Sequence, residues 1–116
     1  MSDIAYKIID AADWRAALAE GRYDGAPVDL ADGYIHMSTQ DQLAETARRH
    51  FAGRTALMVL DVDLTRLADD VVWEPSRGGA LFPHLYAALP VAAVTAVRAL
   101  SVSDAGEMIF EDGPCA

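Results

Sequence analysis

Residues 33–42 read GYIHMSTQDQ and place the end of a strand directly against the start of a helix. Thr39, followed three residues later by Gln42, is a capping-box pattern, so we expect a helix over residues 40–52. The first turn of such a helix has free N–H groups and a positive dipole, which favour an anion nearby. This junction therefore predicts both a local fold and a place where a ligand can bind.

Side chains alternate between the two faces of the predicted strand. Ile35 and Met37 should face the core, while Tyr34, His36 and Ser38 should share the other face. An aromatic ring, an imidazole and a hydroxyl would then meet beside the helix start. The same pattern also fits an ordinary solvent-facing strand edge that carries a surface histidine.

The rest of the chain alternates between strand and helix patterns. We expect strands at 4–9, 55–62, 70–73 and 94–102, a helix at 11–20, a long loop over 22–33, a turn of helix or a loop at 64–67, an irregular segment over 74–83 and a helical turn at 90–93. Together with the central junction, these elements predict an α+β fold with a small split mixed sheet of about five to six strands and two main helices.

Length and composition predict one domain that spans residues 1–116, with an ordered core over about 4–102 and a tail over 103–116 that has a weak strand pattern. The chain shows neither a long apolar run nor a secretory pattern at its start, so a cytoplasmic protein is expected. The single cysteine, Cys115, has no intrachain partner for a disulfide.

Charge limits the classes of partner. Nine basic and eighteen acidic residues give a net charge of −9, which disfavours an extended nucleic-acid surface and an anionic membrane surface. A small phosphorylated ligand remains compatible, because local arginines can hold it; the candidates are Arg48, Arg49, Arg54 and Arg77. We expect a monomer or, through an exposed sheet edge, a weak homodimer.

A second polar cluster lies in WEPSRGG, residues 73–79, and LFPHLY, residues 81–86. In an extended backbone His84 and Tyr86 share a face and Leu85 turns inward. Glu74 belongs to the same segment and adds a carboxylate. The alternative is a surface loop attached to the core by its aromatic residues.

Other chemistry has less support. The chain has no phosphate-loop or dinucleotide fingerprint, and its three histidines lack a metal-ligand spacing, so no metal is expected. A serine-histidine-acid triad drawn with Ser38 or Ser76 lacks a nucleophile-elbow sequence. Asp61 and Asp63 form a pair at a strand end that is more typical of solvated carboxylates.

Four ordered segments carry a family resemblance: residues 33–39 (GYIHMST), 60–63 (LDVD), 73–76 (WEPS) and 81–86 (LFPHLY). They resemble the motifs of the bacterial domain of unknown function 952 family. That family is grouped by fold with the ADP-ribosyltransferases, which bind NAD in a cleft of a split sheet. The resemblance implies NAD as a substrate rather than as a resident cofactor, and transfer of ADP-ribose as the reaction.

The resemblance also implies roles for individual residues. His36 would hold a ribose hydroxyl, Tyr86 would stack on nicotinamide, and Glu74 would favour the oxocarbenium-like state. The acid follows the tyrosine in transferases of the histidine-tyrosine-glutamate type, whereas Glu74 precedes Tyr86 here. His84 is assigned either a catalytic or a phosphate-contacting role, and Arg77 would pair with pyrophosphate.

Three functions follow from these patterns. The chain is an NAD-dependent transferase or glycohydrolase, a non-catalytic nucleotide or ADP-ribose binding module, or a small hydrolase that uses the same polar cleft. The expected catalytic residues are His36, Glu74 and His84, and the expected ligand-binding residues are Tyr34, His36, Ser38, Thr39, Arg77 and Tyr86. All three functions require His36, Ser38, Glu74, His84 and Tyr86 to converge on one cleft.

Overall fold

The strands and helices form an α+β fold. The structure is a computed structural model that describes residues 3–76 and 78–111. Its elements are β1 (Ile4–Asp10), α1 (Ala11–Glu20), β2 (Arg22–Tyr23), α2 (Pro27–Asp32), β3 (Ile35–His36), α3 (Gln40–His50), β4 (Leu57–Asp63), β5 (Val71–Ser76), β6 (Ala80–Leu85), β7 (Leu89–Pro90), β8 (Val94–Val102) and β9 (Met108–Phe110). Short 3-10 turns lie at Leu64–Arg66, Ala68–Asp70 and Val91–Ala93.

The strands form three sheets. The largest has the order β1-β4-β8-β9, a second has the order β3-β6-β5, and β2 pairs with β7. Every strand pair in these sheets is antiparallel. The expected mixed sheet of five to six strands was therefore wrong, because the strands divide among three sheets and none of the described pairs is parallel.

The first strand of the large sheet contributes to an apolar cluster on each face. On β1, Ala5 and Ile9 pack into one apolar cluster with Trp14 of α1, while Ile8 packs into a second cluster with Leu43 of α3. Alternation along the strand produces this division. Ala47 of α3 belongs to the second cluster as well, so one side of α3 packs against the sheet.

The expected loop over 22–33 was wrong, because this segment holds β2 and α2. Its proline and glycine residues delimit a helix instead of preventing one. Pro27 is the first helical residue, where its missing N–H costs nothing, and Gly33 ends the helix in the left-handed conformation at φ 86°.

The segment over 74–83 was also expected to be irregular, and it forms most of a hairpin. β5 and β6 pair from Val71 with Leu85 to Ser76 with Ala80. Likewise β9, in the expected tail, pairs with β8.

A backbone bridge joins the large sheet to the three-stranded sheet. Tyr6 N–H donates to Ser38 O at 2.8 Å, and Ser38 N–H donates to Tyr6 O at 2.9 Å. The bridge places β3 beside β1, and this proximity sets up the site described below. Within the described residues, no helix is long and apolar enough to cross a membrane.

Candidate functional site

Asp29 lies at the start of α2 and is almost fully buried, with its side chain 1% exposed. Its Oδ2 accepts a hydrogen bond from the Ala26 N–H at 2.7 Å. A carboxylate in the first turn of a helix satisfies a backbone donor that has no partner within the helix. The same carboxylate reaches two other elements of the fold.

Lys7 and His36 complete the surroundings of Asp29. The Lys7 ammonium lies 3.0 Å from Asp29 Oδ2 and 3.1 Å from Oδ1. The His36 backbone N–H donates to Oδ1 at 3.1 Å, and His36 Nδ1 lies 2.6 Å from the same oxygen. One carboxylate therefore links β1, α2 and β3.

Burial and charge act in opposite directions on this pair. Burial by itself raises the pKa of Asp29, but the Lys7 charge and the hydrogen bonds from His36 and Ala26 lower that pKa below 3.8. Burial lowers the pKa of Lys7 below 10.5, and Asp29 offsets part of that change. Since the folded pKa of Asp29 is depressed, its contribution to stability is present above pH 3.8 and is lost as the pH falls through the folded value.

His36 is held from both sides of its ring. Opposite Nδ1, the Nε2 atom lies 2.9 Å from Asp32 Oδ2 at the end of α2. Asp32 is 47% exposed, whereas Asp29 is 1% exposed. The imidazole therefore has one buried and one solvent-facing carboxylate partner.

The strand register brings two histidines together. His36 on β3 is paired with His84 on β6, so their side chains share a face, and the ring centroids are 5.5 Å apart. Tyr34 stacks on His84 at 4.1 Å and lies 4.6 Å from His36. Tyr86 follows β6 and lies 5.1 Å from Tyr34.

Glu74 joins this cluster from β5. It lies opposite Phe82, diagonally across the hairpin from His84. Glu74 Oε1 accepts a hydrogen bond from the Tyr86 hydroxyl at 2.7 Å and lies 2.7 Å from His84 Nδ1. Because a carboxylate oxygen only accepts, His84 Nδ1 donates in this contact. We call Tyr34, His36, Glu74, His84 and Tyr86 the ring cluster.

The electrostatic field in the ring cluster is negative. Burial raises the pKa of Tyr34, and the carboxylates of Asp32 and Glu74 raise it further. The hydrogen bond to Glu74, together with burial, raises the pKa of Tyr86 to about 12. The bonds from Tyr86 and His84 lower the pKa of Glu74 below 4.5. Glu74 is thus ionised at neutral pH, and a ligand here meets excess negative charge.

A cavity of about 230 Å³ opens beside the ring cluster. Tyr34 and Tyr86 line it, as do Asp29 and Leu30 of α2, whereas His36, Glu74 and His84 lie outside its lining. The two tyrosines therefore belong both to the cavity wall and to the ring cluster. Pockets that hold drug-sized ligands measure roughly 300–1,000 Å³, so this smaller cavity suits a single ring or a ring-sugar fragment.

The structure brings together four of the five residues expected to converge. Ser38 is the exception, since it is buried and its hydroxyl lies 2.8 Å from that of Thr46 on α3. Thr39 precedes α3, and its N–H donates to the Gln42 side chain. Arg77 lies outside the described residues.

Sequence reasoning missed Lys7, Asp29 and Asp32. Two signals were present: Lys7 interrupts the inward-facing row of an apolar strand, and Asp29 follows Pro27 at the spacing of a helix start. Across the described parts of the chain, no group of three or more histidine, cysteine, aspartate or glutamate side chains is placed to hold a metal ion.

Comparison with known proteins identifies the family. The sequence profile described as "Protein of unknown function (DUF952)" matches residues 8–97. The chain belongs to the DUF952 family. This membership confirms the family resemblance of the four sequence motifs.

Solved structures share the DUF952 fold. The crystal structure of protein CC0527 from Caulobacter crescentus has a TM-score of 0.87 at 46% identity, over 91% of this chain and 93% of that chain. The solution NMR structure of CC0527 has a TM-score of 0.80 at 46% identity, over 91% of both chains. No curated protein matches the chain.

Gly25 tests the packing around Asp29. Gly25 has φ 118°, and an added Cβ would lie 2.9 Å from the Asp29 Cβ. We expect Gly25→Ala to lower the free energy of unfolding by about 1–3 kcal/mol, because it adds both backbone strain and overlap. Urea denaturation measures the loss. Gly21→Ala is the matched control, since Gly21 is also left-handed at φ 83° but has no atom within 4 Å of the added Cβ; equal losses in both variants would contradict the packing argument.

Tyr86 tests the electrostatics of Glu74. In Tyr86→Phe the pKa of Glu74 should rise towards 4.5, because the first of the two bonds that lower it is removed. In the wild type this hydrogen bond stabilises the folded state above pH 4.5. That stabilisation is lost as the pH falls through the lowered pKa of Glu74. NMR titration of the Glu74 side-chain carboxyl carbon measures the shift. Tyr6→Phe on β1 is the control, and an unchanged Glu74 titration in Tyr86→Phe would refute the assignment.

Proposed function

We propose that the ring cluster binds the base and ribose of a nucleotide, NAD or an ADP-ribose-type ligand, and that the chain cleaves or transfers at the N-ribosyl bond. The observation that carries this proposal is the position of Glu74, whose ionised carboxylate is held among aromatic rings by Tyr86 and His84 at 2.7 Å each. A fixed negative charge beside ring-stacking surfaces fits a reaction in which positive charge develops on a sugar. The ADP-ribosyltransferase-like fold remains part of this proposal.

Tyr86 supplies the stacking surface. Tyr34 already uses one ring face against His84, whereas Tyr86 is 46% exposed. The hydrogen bond from its hydroxyl to Glu74 fixes the direction of the Tyr86 ring. A planar base can therefore stack on a ring that is already oriented.

Charge favours a cationic ring. Asp29, Asp32 and Glu74 surround the rings, and the ion pair between Lys7 and Asp29 balances one of these three charges. The nicotinamide ring of oxidised NAD carries a positive charge, which the reduced form lacks. A cation over aromatic faces gains about 0.5–2 kcal/mol, so the oxidised form is preferred.

The chain order of Glu74 and Tyr86 does not separate them in space. Glu74 precedes Tyr86 by twelve residues, yet the β5–β6 hairpin brings the carboxylate within hydrogen-bond distance of the hydroxyl. The carboxylate and the tyrosine therefore lie together here, although their order in the chain is the reverse of that in the transferases.

The chemistry assigned to Glu74 is electrostatic. The bond between the ribose C1′ and the nicotinamide nitrogen breaks, and its electron pair leaves with neutral nicotinamide. Glu74 stabilises the oxocarbenium-like sugar until water or an acceptor group bonds to C1′ and releases its proton to solvent. His36 holds a ribose hydroxyl in this arrangement.

A binding module is the second candidate. Both ring nitrogens of His36 already have carboxylate partners, an arrangement suited to recognition rather than to proton transfer. The hydrolase alternative loses one support, because Ser38 is buried and hydrogen-bonded to Thr46.

Calorimetric titration with NAD, NADH, ADP-ribose and nicotinamide tests the proposal. We expect saturable binding of NAD that is stronger than binding of NADH, and Tyr86→Ala should weaken it about 3- to 10-fold through lost stacking. His36→Ala should also weaken binding, because it loses the contact with the ribose hydroxyl. His50→Ala, at an exposed histidine at the end of α3, is its control. The absence of saturable binding by any of the four compounds would refute the nucleotide proposal.

Release of nicotinamide separates the two candidates. In an enzyme, Glu74→Gln should lower the rate of release from NAD by about 10²- to 10³-fold while binding persists, because the transition state loses a fixed charge. Chromatography of the product measures the rate, and Glu107→Gln, an exposed glutamate before β9, serves as control. Binding without release in the wild type would identify a binding module and contradict the enzymatic half of the proposal.

A further inference from the structure

The two carboxylates that contact His36 differ in burial and in their other partners. Asp29 is 1% exposed and also bonds Lys7 and the Ala26 N–H, whereas Asp32 is 47% exposed. Asp29 contacts Nδ1 at 2.6 Å, and Asp32 contacts Nε2 at 2.9 Å. This asymmetry indicates separate roles.

Asp29 fixes the His36 ring in direction. Its Oδ1 meets both the backbone N–H of His36 at 3.1 Å and Nδ1 at 2.6 Å. A side chain held through its own backbone and its ring by one oxygen has little rotational freedom left. Nδ1 donates to the buried Asp29 carboxylate, whereas Nε2 lies beside the exposed Asp32, so Nε2 is the nitrogen that a ligand can reach.

The Asp32 carboxylate, at the end of the short helix α2, contacts His36 Nε2. It is the last residue of α2 and precedes Gly33, so its side chain can turn towards solvent without disturbing the helix. An exposed ion pair of this kind contributes little, because water competes for both partners. A ligand hydroxyl can replace it at Nε2.

We propose that Asp29 is a positioning residue that directs His36 Nε2 into the ring cluster, and that Asp32 holds Nε2 only until a ligand hydroxyl displaces it. The ligand half of this inference rests on the proposed function. The positioning half concerns the free chain and stands independently. Removing Asp29 should therefore weaken binding, whereas removing Asp32 should strengthen it.

Lys7 makes the design of the variants important. Asp29→Asn alone leaves the Lys7 ammonium buried without its counter-charge, which can unfold the chain. The double variant Lys7→Met/Asp29→Leu removes both charges and the oxygen that accepts from His36, and it keeps similar side-chain shapes. Lys7→Met alone removes the ion pair but keeps the carboxylate on His36, and the hydrogen bonds from the Ala26 and His36 N–H groups still satisfy that carboxylate; this variant is the matched control. Backbone amide NMR spectra establish that each variant is folded.

NMR of the ring nitrogens provides the first test. In chain labelled with ¹⁵N-histidine, the His36 Nδ1 proton should be protected from exchange in the wild type, in Lys7→Met and in Asp32→Ala. That protection should be lost in Lys7→Met/Asp29→Leu, where no acceptor remains at position 29. A folded double variant that retains the protected proton overturns the positioning role, as does loss of protection in Asp32→Ala.

Calorimetry with ADP-ribose provides the second test. The double variant should bind about 10- to 100-fold more weakly than Lys7→Met, the range for a lost charge-assisted hydrogen bond. Asp32→Ala should bind about two- to fivefold more tightly, as for removal of an exposed competitor. Unchanged affinity in the double variant overturns the positioning role, and weaker binding by Asp32→Ala overturns its displacement.

The two proposals fail in different ways. If the wild type binds neither ADP-ribose nor NAD, the nucleotide function and the displacement of Asp32 are overturned together. The Nδ1 proton still decides whether Asp29 positions His36. Normal nucleotide binding with an unprotected Nδ1 proton in the wild type would overturn the positioning role alone.

Discussion

One buried carboxylate joins the elements on which the site is built. Asp29 holds the start of α2 through Ala26, the middle of β1 through Lys7, and β3 through both the backbone and the ring of His36. A buried charge is costly unless it is paired and hydrogen-bonded, and here each demand is met by a different segment of the chain. The geometry of His36 consequently depends on Asp29, seven positions away in sequence, and on Lys7, which is 22 positions from Asp29.

Much of the fold could be read from local patterns. The strand patterns of β1, β4 and β8 and the capping box of α3 predicted those elements, and tertiary packing did not override them. Pro27 and Gly33 were misread because proline and glycine break a helix in its interior but bound it at its ends. The β5–β6 hairpin was missed for a related reason, since Pro75 and Pro83 lie within strands that locally read as loop.

The site could be predicted only where it follows strand alternation. His36, Glu74 and His84 lie in strands and Tyr86 directly follows one, and their polar side chains stand out from apolar neighbours. Ser38 broke the rule because β3 ends at His36, so the periodicity of the strand no longer fixes where Ser38 points. The Lys7–Asp29 pair could not be predicted, since no local pattern reports a contact across 22 residues.

The cluster is assembled from two pieces of chain, each continuous in sequence. One piece runs from α2 to β3 and carries Asp29, Tyr34 and His36. The other is the β5–β6 hairpin with the residue that follows it, and it carries Glu74, His84 and Tyr86. They meet through a ladder of two residue pairs, Ile35 with Leu85 and His36 with His84. Such a division lets the two pieces diverge separately. Substitutions in the hairpin can change which ligand binds, while the buried Lys7–Asp29 ion pair keeps the positions of α2 and β3 unchanged. Modular construction of this kind makes the hairpin a natural segment to exchange between relatives when their ligand preferences are compared.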